Sequence, residues 1–332
     1  MTKASCCTQY LPKALEEYEH WRVHEAGFSI RTWAGEKPGL LAFVDHMREA
    51  GVHYCADLTH EHVSAWWTGL RLKDNTKATR LHQLRSFLEY CAQRKWMKGD
   101  PTALLRAVRP GARVRDRLTA DELLDLVETG ATPPRRIILA LAANTALRAS
   151  EIRDLRLRDL DLPRQELRVR PGKTRSDEDA MPVTVELDRE LRRWLDVYLG
   201  EAQVTRDSYL VPSVYADNMN GRLVYRHDRQ MGVHYAAEVV KDGLAALGWD
   251  GTLGEGVHTV RRSLARLFFD AKEAEGTFDS ALLATMELLH HTRSETTLHY
   301  IGRSRGQAAR DSVLKGKPFL TTLASTRKLR AV

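Results

Sequence analysis

The sequence lacks the features that would place it in a membrane or outside the cell. No apolar run approaches the roughly 20 residues that span a bilayer. The N-terminal stretch MTKASCCTQYLPKALEEYEHW has no apolar signal-peptide core. The only cysteines are Cys6, Cys7, Cys55 and Cys91, and no two of them have CxxC spacing, which argues against a zinc site and a disulfide framework. These absences predict a cytoplasmic protein whose thiols are buried or incidental.

Charge is the most informative feature of the composition. Of the 332 residues, 43% are hydrophobic and 29% charged, and the formal net charge is +7. This length allows about two domains. A basic chain fits a polyanionic partner, although a soluble protein with a merely basic surface has the same charge. Much of the excess lies in segment 106–117 (RAVRPGARVRDR) and in the lysines and arginines after Gly302.

Helical periodicity dominates the part of the chain before segment 106–117. Residues 15–105 form the first predicted domain, which is all helical, after an N-terminal extension of residues 1–14. In NTKATRLHQLRSFLEYCAQRKW the apolar side chains recur every three or four residues. Asn75 or Thr76 is the predicted N-cap of this helix.

The second predicted domain, residues 118–332, is mostly helical with one exception. Thr119 and Glu122 have the spacing of a capping box and predict the start of a helix. Because ELRVRP alternates apolar and polar residues and MPVTVE resumes a strand pattern, residues 166–185 are predicted to form a β-hairpin with Lys173 near its turn. The predicted fold class is therefore mainly α with a small β-hairpin or sheet, giving an α+β second domain.

Segment 106–117 connects the two predicted domains. One interpretation is a solvated linker without further function. Five arginines against one aspartate fit a strap across a phosphate backbone better, because arginine binds phosphate oxygens and displaces counterions. The predicted DNA contacts are Arg106, Arg109, Arg113, Arg115 and Arg117.

Four short segments of the second domain carry side chains suited to one reaction. The segments are NTALRASE, at a break between two helical runs, the predicted hairpin turn, HTVR, and HHTRSETTLHY. In HTVR the histidine and the arginine are three residues apart and share a helix face. The candidate residues, in chain order, are Arg148, Lys173, His258, Arg261, His290, His291 and Tyr300.

Each of these residues, taken singly, has an ordinary structural explanation. Arg148 can pair with Glu151, Lys173 can be a solvated loop residue, and His258 can be a core histidine. Together the candidates supply the groups needed for displacement at a phosphodiester without a metal. Arginine forks bind phosphate oxygens and stabilise the charge that develops on them. Tyrosine can form a covalent intermediate if a base or nearby cations assist it, because its pKa is near 10.

The order of these motifs resembles that of the tyrosine recombinases of the phage-integrase family. The family pattern is TGLR-x-S-E, a hairpin lysine, H-x-x-R and L-G-H, with the nucleophilic tyrosine nine residues later. This sequence has TALRASE, PGKT, HTVR and LHHTRSETTLHY, and residues 15–105 resemble the family's core-binding domain. Ala146 and His290 replace two glycines of the pattern, and the interval from Arg261 to His291 is somewhat longer than is typical.

The resemblance implies that Tyr300 is the nucleophile. Its attack would give a 3′-phosphotyrosyl link and a free 5′-hydroxyl. The spacing of nine residues favours His291 over His290 as the catalytic histidine. Thr296 and Thr297 are interpreted as residues that pack and cap the helix carrying the nucleophile.

The resemblance also implies the roles of the other candidates. Arg148, Arg261 and His291 would bind the scissile phosphate. Lys173 would protonate the leaving 5′-oxygen, and His258 would assist proton transfer at the nucleophile. No metal and no nucleotide cofactor would be needed, because the phosphotyrosine preserves the bond energy for religation.

The implied assembly is a two-domain, C-shaped clamp on double-stranded DNA, found in the cytoplasm. Four copies would bind two inverted-repeat recombination sites and exchange strands through a Holliday junction. Accessory DNA-bending proteins are further candidate partners, and no membrane partner is expected. Two alternatives remain open: a topoisomerase-like nicking and closing enzyme, and a DNA-binding regulator of the same fold without catalysis.

Overall fold

The computed structural model describes residues 9–106, 117–170, 179–201, 204–217, 222–249, 251 and 255–306. The chain divides into two compact units, residues 1–113 and 114–332. Each unit buries its own cluster of apolar side chains.

The described part of the first unit is helical. Its helices are α1 (Leu11–His20), α2 (Ile30–Glu49), α3 (His60–Gly69) and α4 (Asp74–Gln93). Tyr18 lies at the centre of this unit, packed against Phe87 and hydrogen bonded to Ser86. The predicted N-caps Asn75 and Thr76 are wrong: α4 begins earlier, after the extended backbone of Lys73, with an acidic residue in its first turn that suits the positive end of the helix.

The second unit combines helices with two small sheets. Its helices are α5 (Ala120–Glu128), α6 (Pro133–Thr145), α7 (Ala149–Asp154), α8 (Val185–Tyr198), α9 (Tyr235–Ala246), α10 (Val257–Glu275), α11 (Phe278–Leu289) and α12 (Ser294–Ile301). Its strands are β1 (Leu160–Asp161), β2 (Glu166–Val169), β3 (Asp179–Pro182), β4 (Pro212–Ala216) and β5 (Leu223–Gln230).

Helix α6 is the central element of the second unit. Its run IILALAA is buried on all sides because α5, α8, α9 and α10 all pack against it, as expected of a helix that is apolar around its whole circumference. The predicted capping box at the start of α5 is confirmed: the Glu122 amide donates to Thr119 Oγ1, and the Thr119 amide donates to Glu122 Oε2.

The predicted hairpin at 166–185 is confirmed as the antiparallel pair β2–β3, with β1 on the outer side of β2. Its predicted C-terminal boundary is wrong, because the second strand ends at Pro182 and α8 follows almost directly. Thr184 starts that helix, its side chain accepting a hydrogen bond from a first-turn amide. The turn with Lys173 lies outside the described residues.

The prediction of a single β exception is wrong, because β4 and β5 form a second antiparallel pair. Most of its side chains are only partly buried, so the apolar alternation that predicts a strand is weak here. The Asn220-Gly221 dipeptide between PSVYA and LVYRHDRQ is a typical hairpin-turn signal and could have revealed the pair.

A separate apolar cluster joins α10, α11 and α12. It includes Phe269, Leu282, Leu289 and Ile301, and Ala146 from the end of α6 packs into it. This packing brings the end of α6, the start of α10, the end of α11 and helix α12 to one place.

Candidate active site

The turn between α6 and α7 presents Arg148. Ala146, just after α6, has a left-handed backbone (φ 52°), a conformation that glycine adopts more readily. Arg148 is the N-cap of α7, which confirms the predicted break between two helices. Its amide donates to Glu151 Oε2 at 2.7 Å and its Nη1 to Oε1 at 2.6 Å. The carboxylate therefore fixes the direction of the guanidinium.

Arg261, in the first turns of α10, is 1% exposed. Its guanidinium donates to the carbonyl of Ala146 and, at 2.6 Å, to the carbonyl of Leu289. The first carbonyl directly follows α6, and the second is that of the last residue of α11. Both helices end in a residue with a left-handed backbone, Ala146 after α6 and His290 after α11. Because Arg261 also lies 3.7 Å from a Glu151 oxygen, it links four helices through one side chain.

Arg148, Glu151 and Arg261 form a cluster with a net positive charge, called the arginine pocket below. Burial opposes ionisation of Glu151, but the Arg148 amide and the charges of Arg148 and Arg261 outweigh it, so the pKa of Glu151 lies below its usual range. Burial and the charge of Arg148 lower the pKa of Arg261 to about 10, and Arg261 therefore stays charged at neutral pH. Two cations around one carboxylate form a pocket suited to a phosphodiester.

His291 lies directly after the end of α11. Its Nδ1 is 3.0 Å from the Oγ1 of the buried Thr297. Burial and the charges of Arg261, Arg148 and His290 lower the pKa of His291 to about 4, so the imidazole is neutral at neutral pH. If Nδ1 accepts the Thr297 proton, the ring proton is on Nε2 and can be donated to a phosphate oxygen.

Tyr300 lies in the last turn of α12 and is half-buried. Its hydroxyl donates to the His258 carbonyl at 3.2 Å and is 3.4 Å from His258 Nδ1. Its ring meets His291 edge to face, with centroids 5.6 Å apart. Burial raises the pKa of Tyr300, and the charge of Arg261 offsets this only in part. The hydroxyl is therefore protonated at neutral pH and needs a proton acceptor to become a nucleophile.

Hydrogen bonds and an ion pair attach the C-terminal end of α12 to α10, the helix that carries Arg261. At its C-terminal end Gly302 has a left-handed backbone, and the Arg303 amide donates to the Leu298 carbonyl at 2.9 Å. The Arg303 side chain pairs with Glu273, and Arg266 Nη1 donates to the Ile301 carbonyl at 3.3 Å. These bonds to α10 hold Tyr300 beside the arginines of its own chain.

His290, the residue at the end of α11, also has a left-handed backbone (φ 49°). Its side chain is 7% exposed, with Nδ1 3.1 Å from Asp179 Oδ2. Unlike His291, it makes no ring contact with Tyr300 among the contacts of the described residues. The choice of His291 as the catalytic histidine stays a prediction that this geometry favours.

Two residues of the pocket were not among the candidates of the sequence analysis. Glu151 was considered only as an ordinary ion-pair partner of Arg148. Thr297 was interpreted as a packing and capping residue; its burial agrees with packing, but the N-cap of α12 is Arg293, and Thr297 binds His291 instead. The spacing of three residues between Arg148 and Glu151 was a usable signal, whereas nothing in the sequence pointed from Thr297 to an imidazole.

The remaining candidates lie apart from this pocket or outside the described residues. Arg106, the last described residue of the first unit, is exposed. Arg117 is partly buried next to Gly302, where burial and then the charge of Arg266 lower its pKa. Contacts of these arginines with DNA stay a prediction. The candidates outside the described residues are Arg109, Arg113, Arg115 and Lys173.

Two kinds of feature are absent from the described ranges. No helix there is both long and apolar enough to cross a membrane. Within the same residues, no three side chains of histidine, cysteine, aspartate or glutamate come together as a metal site.

The architecture of this chain is similar to that of several solved integrases. A lambda integrase dimer bound to a COC' core site has a TM-score of 0.65 at 17% identity, covering 89% of this chain and 77% of the other. The Tn1549 transposon integrase in complex with transposon right-end DNA has a TM-score of 0.64 at 15% identity, covering 92% and 98%. At these identities the likeness shows the fold alone, which this chain shares with these integrases.

Sequence comparison identifies the family. The tyrosine recombinase XerC of Vibrio vulnificus (strain YJ016) is 25% identical over 304 residues, covering 87% of this chain and 86% of the relative. XerC of Roseiflexus castenholzii is 27% identical over 297 residues, covering 86% and 87%. The model of the phage integrase family matches residues 116–305, more than half of the chain. The protein belongs to the phage integrase family of tyrosine recombinases.

Proposed function

We propose that this protein is a site-specific DNA recombinase that breaks and rejoins strands through a 3′-phosphotyrosyl intermediate. The observation that carries the proposal is the convergence of Arg148, Arg261 and His291 beside the hydroxyl of Tyr300. Charges of both arginines act on that hydroxyl, and His291 packs on its ring. A phosphate held by the guanidinium groups would lie beside the nucleophile, as covalent catalysis requires.

The cleavage step forms a bond from Tyr300 Oη to phosphorus and breaks the bond from phosphorus to the 5′-oxygen. His258 Nδ1, 3.4 Å from the hydroxyl, accepts the tyrosine proton. Lys173 supplies a proton to the departing 5′-oxygen. In the rejoining step a 5′-hydroxyl attacks phosphorus and Tyr300 leaves, so no external energy source enters the cycle.

Stabilisation of the five-coordinate phosphorus falls to the arginine pocket. Arg148 and Arg261 bear positive charge where the non-bridging oxygens become more negative, and electrostatic stabilisation of this kind is commonly the largest catalytic contribution. His291 adds a hydrogen bond from Nε2. No metal and no nucleotide cofactor enters the proposed mechanism.

The proposed partner is double-stranded DNA with inverted-repeat sites. Segment 106–117 would cross the phosphate backbone between two domains that clamp the duplex. We extend to this chain the tetramer on a Holliday junction that is described for lambda integrase, a chain of the same fold. Accessory DNA-bending proteins remain further candidate partners, and the proposed location is the cytoplasm, on DNA.

The test is covalent capture on a pool of duplexes with randomised flanks around one 5′-bridging phosphorothiolate. A thiolate leaves without protonation and rejoins poorly, so any cleaving protein accumulates as an adduct that survives denaturant. We expect an adduct with the natural chain and with Tyr215→Phe, which changes an exposed tyrosine, and none with Tyr300→Phe.

Sequencing the captured DNA would give the recombination site. Absence of any adduct would overturn the proposal in favour of a DNA-binding regulator. An adduct without strand exchange between two captured sites would favour a nicking and closing enzyme instead.

A further inference from the structure

His290 has a backbone conformation that is unfavourable for a residue with a side chain. The residue ends α11 with φ 49° and ψ 46°, its amide donating to the Glu287 carbonyl. A left-handed backbone is less favourable for an L-residue with a Cβ than for glycine. Histidine tolerates this region better than bulkier residues do, but an imidazole here still needs a compensating contact.

That contact is with Asp179, the first residue of β3. His290 Nδ1 lies 3.1 Å from Asp179 Oδ2, and Asp179 is paired with Val169 across the β2–β3 ladder. The bond therefore joins the end of α11, where Leu289 binds Arg261, to the hairpin. It is a link between the hairpin and the arginine pocket.

The second nitrogen of the ring has no hydrogen-bond partner among the described residues. His290 Nε2 is buried and makes no hydrogen bond in the described structure, whereas buried polar atoms are normally paired. In the neutral ring Nδ1–H donates to Asp179, so Nε2 is a buried acceptor for which the described residues supply no donor, and this is unfavourable. Protonation would turn it into a donor.

The charges around the ring are that of Asp179 and those of three residues of the proposed active site. Asp179 on β3 and Glu151 on α7 favour the protonated ring, whereas Arg261 on α10 and Arg148 at the α6–α7 turn disfavour it. Burial of the ring is the largest influence and also disfavours the protonated form, so the pKa of His290 is lowered. The neighbouring His291 adds no charge at neutral pH because its own pKa is lowered to about 4.

We propose that His290 is a proton-linked positioning residue, which ties the hairpin to the pocket through Asp179 and takes up a proton when a phosphate binds between Arg148 and Arg261. The proposal rests on the proposed function, because the phosphate is that of the DNA substrate. A bound phosphodiester cancels part of the arginine charge that keeps the proton off the ring. Binding of DNA and protonation of His290 thereby favour each other.

Calorimetric DNA binding in buffers of different ionisation enthalpy measures this uptake directly. The probe is the duplex that gives most adduct in the capture experiment, bound by a Tyr300→Phe chain so that no bond is broken. A rise of about one unit in the pKa of His290 gives at most about 0.5 proton per protomer, midway between the free and bound pKa values. We expect His290→Asn to abolish that uptake and His234→Asn, which changes an exposed histidine, to leave it unchanged.

The positioning role is measured separately, as the rate of adduct formation by chains that keep Tyr300. His290→Gly, which relieves the left-handed backbone and should fold, and Asp179→Asn should each slow adduct formation about tenfold, the size of one lost charge-assisted hydrogen bond. Because both remove the same bond, the double variant should also be about tenfold slower.

Three outcomes separate this inference from the proposed function. No adduct with the natural chain defeats the proposed function itself. An adduct together with proton uptake that His290→Asn leaves unchanged overturns the inference alone. A double variant about a hundredfold slower would show that the two side chains act independently, and would equally overturn it.

Discussion

Replacement of Glu151 by glutamine should destabilise the second unit, because it removes the carboxylate that lies between Arg148 and Arg261. The carboxylate is 1% exposed, accepts two hydrogen bonds from Arg148, and lies 3.7 Å from Arg261 Nη1. Glutamine keeps one acceptor oxygen but turns an NH₂ group toward donors. The buried Arg261 and the half-buried Arg148 then lack their counter-charge.

The size of the effect follows from those contacts. Breaking a buried ion pair by removing one partner costs about 3–5 kcal/mol, and the remaining amide oxygen recovers part of one hydrogen bond, about 1 kcal/mol. We expect Glu151→Gln to lower the free energy of unfolding by about 3 kcal/mol, or the melting temperature of this unit by about 6–12 °C. The exposed Glu186→Gln, in the first turn of α8, should cost less than about 1 kcal/mol.

The assay is urea denaturation of both variants and the natural chain, repeated across pH. The pKa of Glu151 is depressed in the folded state, so its contribution is complete above the pKa of an unfolded glutamate, about 4.3. It is lost as the pH falls through the lower folded value. The gap between the natural chain and Glu151→Gln should therefore close in acid. A loss no larger than that of Glu186→Gln at neutral pH would refute the account of the pocket.

Three further predictions concern the proposed reaction and its substrate. Thr297→Val should slow cleavage about tenfold, because His291 loses the hydroxyl that fixes its tautomer, whereas Thr296→Val, on the exposed side of α12, should cleave normally; single-turnover rates compare the two. Lys173→Ala should cleave a 5′-bridging phosphorothiolate far better than the natural linkage, while Arg148→Ala should be equally slow on both; equal impairment of Lys173→Ala would remove its role as general acid. Neutralising Arg109, Arg113 and Arg115 should reduce the slope of log affinity against log salt concentration by about 0.9 per lost phosphate contact. An unchanged slope would reject the hypothesis that segment 106–117 crosses the phosphate backbone.

The parts of this site that were predictable are those coded by local spacing. The break before Arg148 was expected because one helical run ends there and another begins. His258 and Arg261 were expected on one helix face because they are three residues apart, and α10 contains both. The hairpin at 166–185 was likewise expected from alternation, a property of neighbouring residues.

The parts that escaped prediction depend on residues distant in the sequence. Arg261 is fixed by the carbonyls of Ala146 and Leu289, which meet only because α6 and α11 end at the same place. The left-handed residues at those ends are alanine and histidine, so the residue types themselves gave no signal of the backbone, and only the glycines of the family pattern marked these positions. The strands β4 and β5 were missed because half-exposed strands carry little apolar alternation.

The central claim is that Tyr300 becomes covalently joined to DNA. The most direct measurement is mass spectrometry of the adduct captured on the phosphorothiolate duplex, after digestion with nuclease and trypsin. Trypsin releases Ser294–Arg303, a peptide whose one tyrosine is Tyr300. The account predicts that this peptide carries the 3′-phosphate-linked nucleotide, with fragment ions that assign it to Tyr300. A nucleotide on Ser294, on either threonine of this peptide, or on any other peptide of the chain would contradict it.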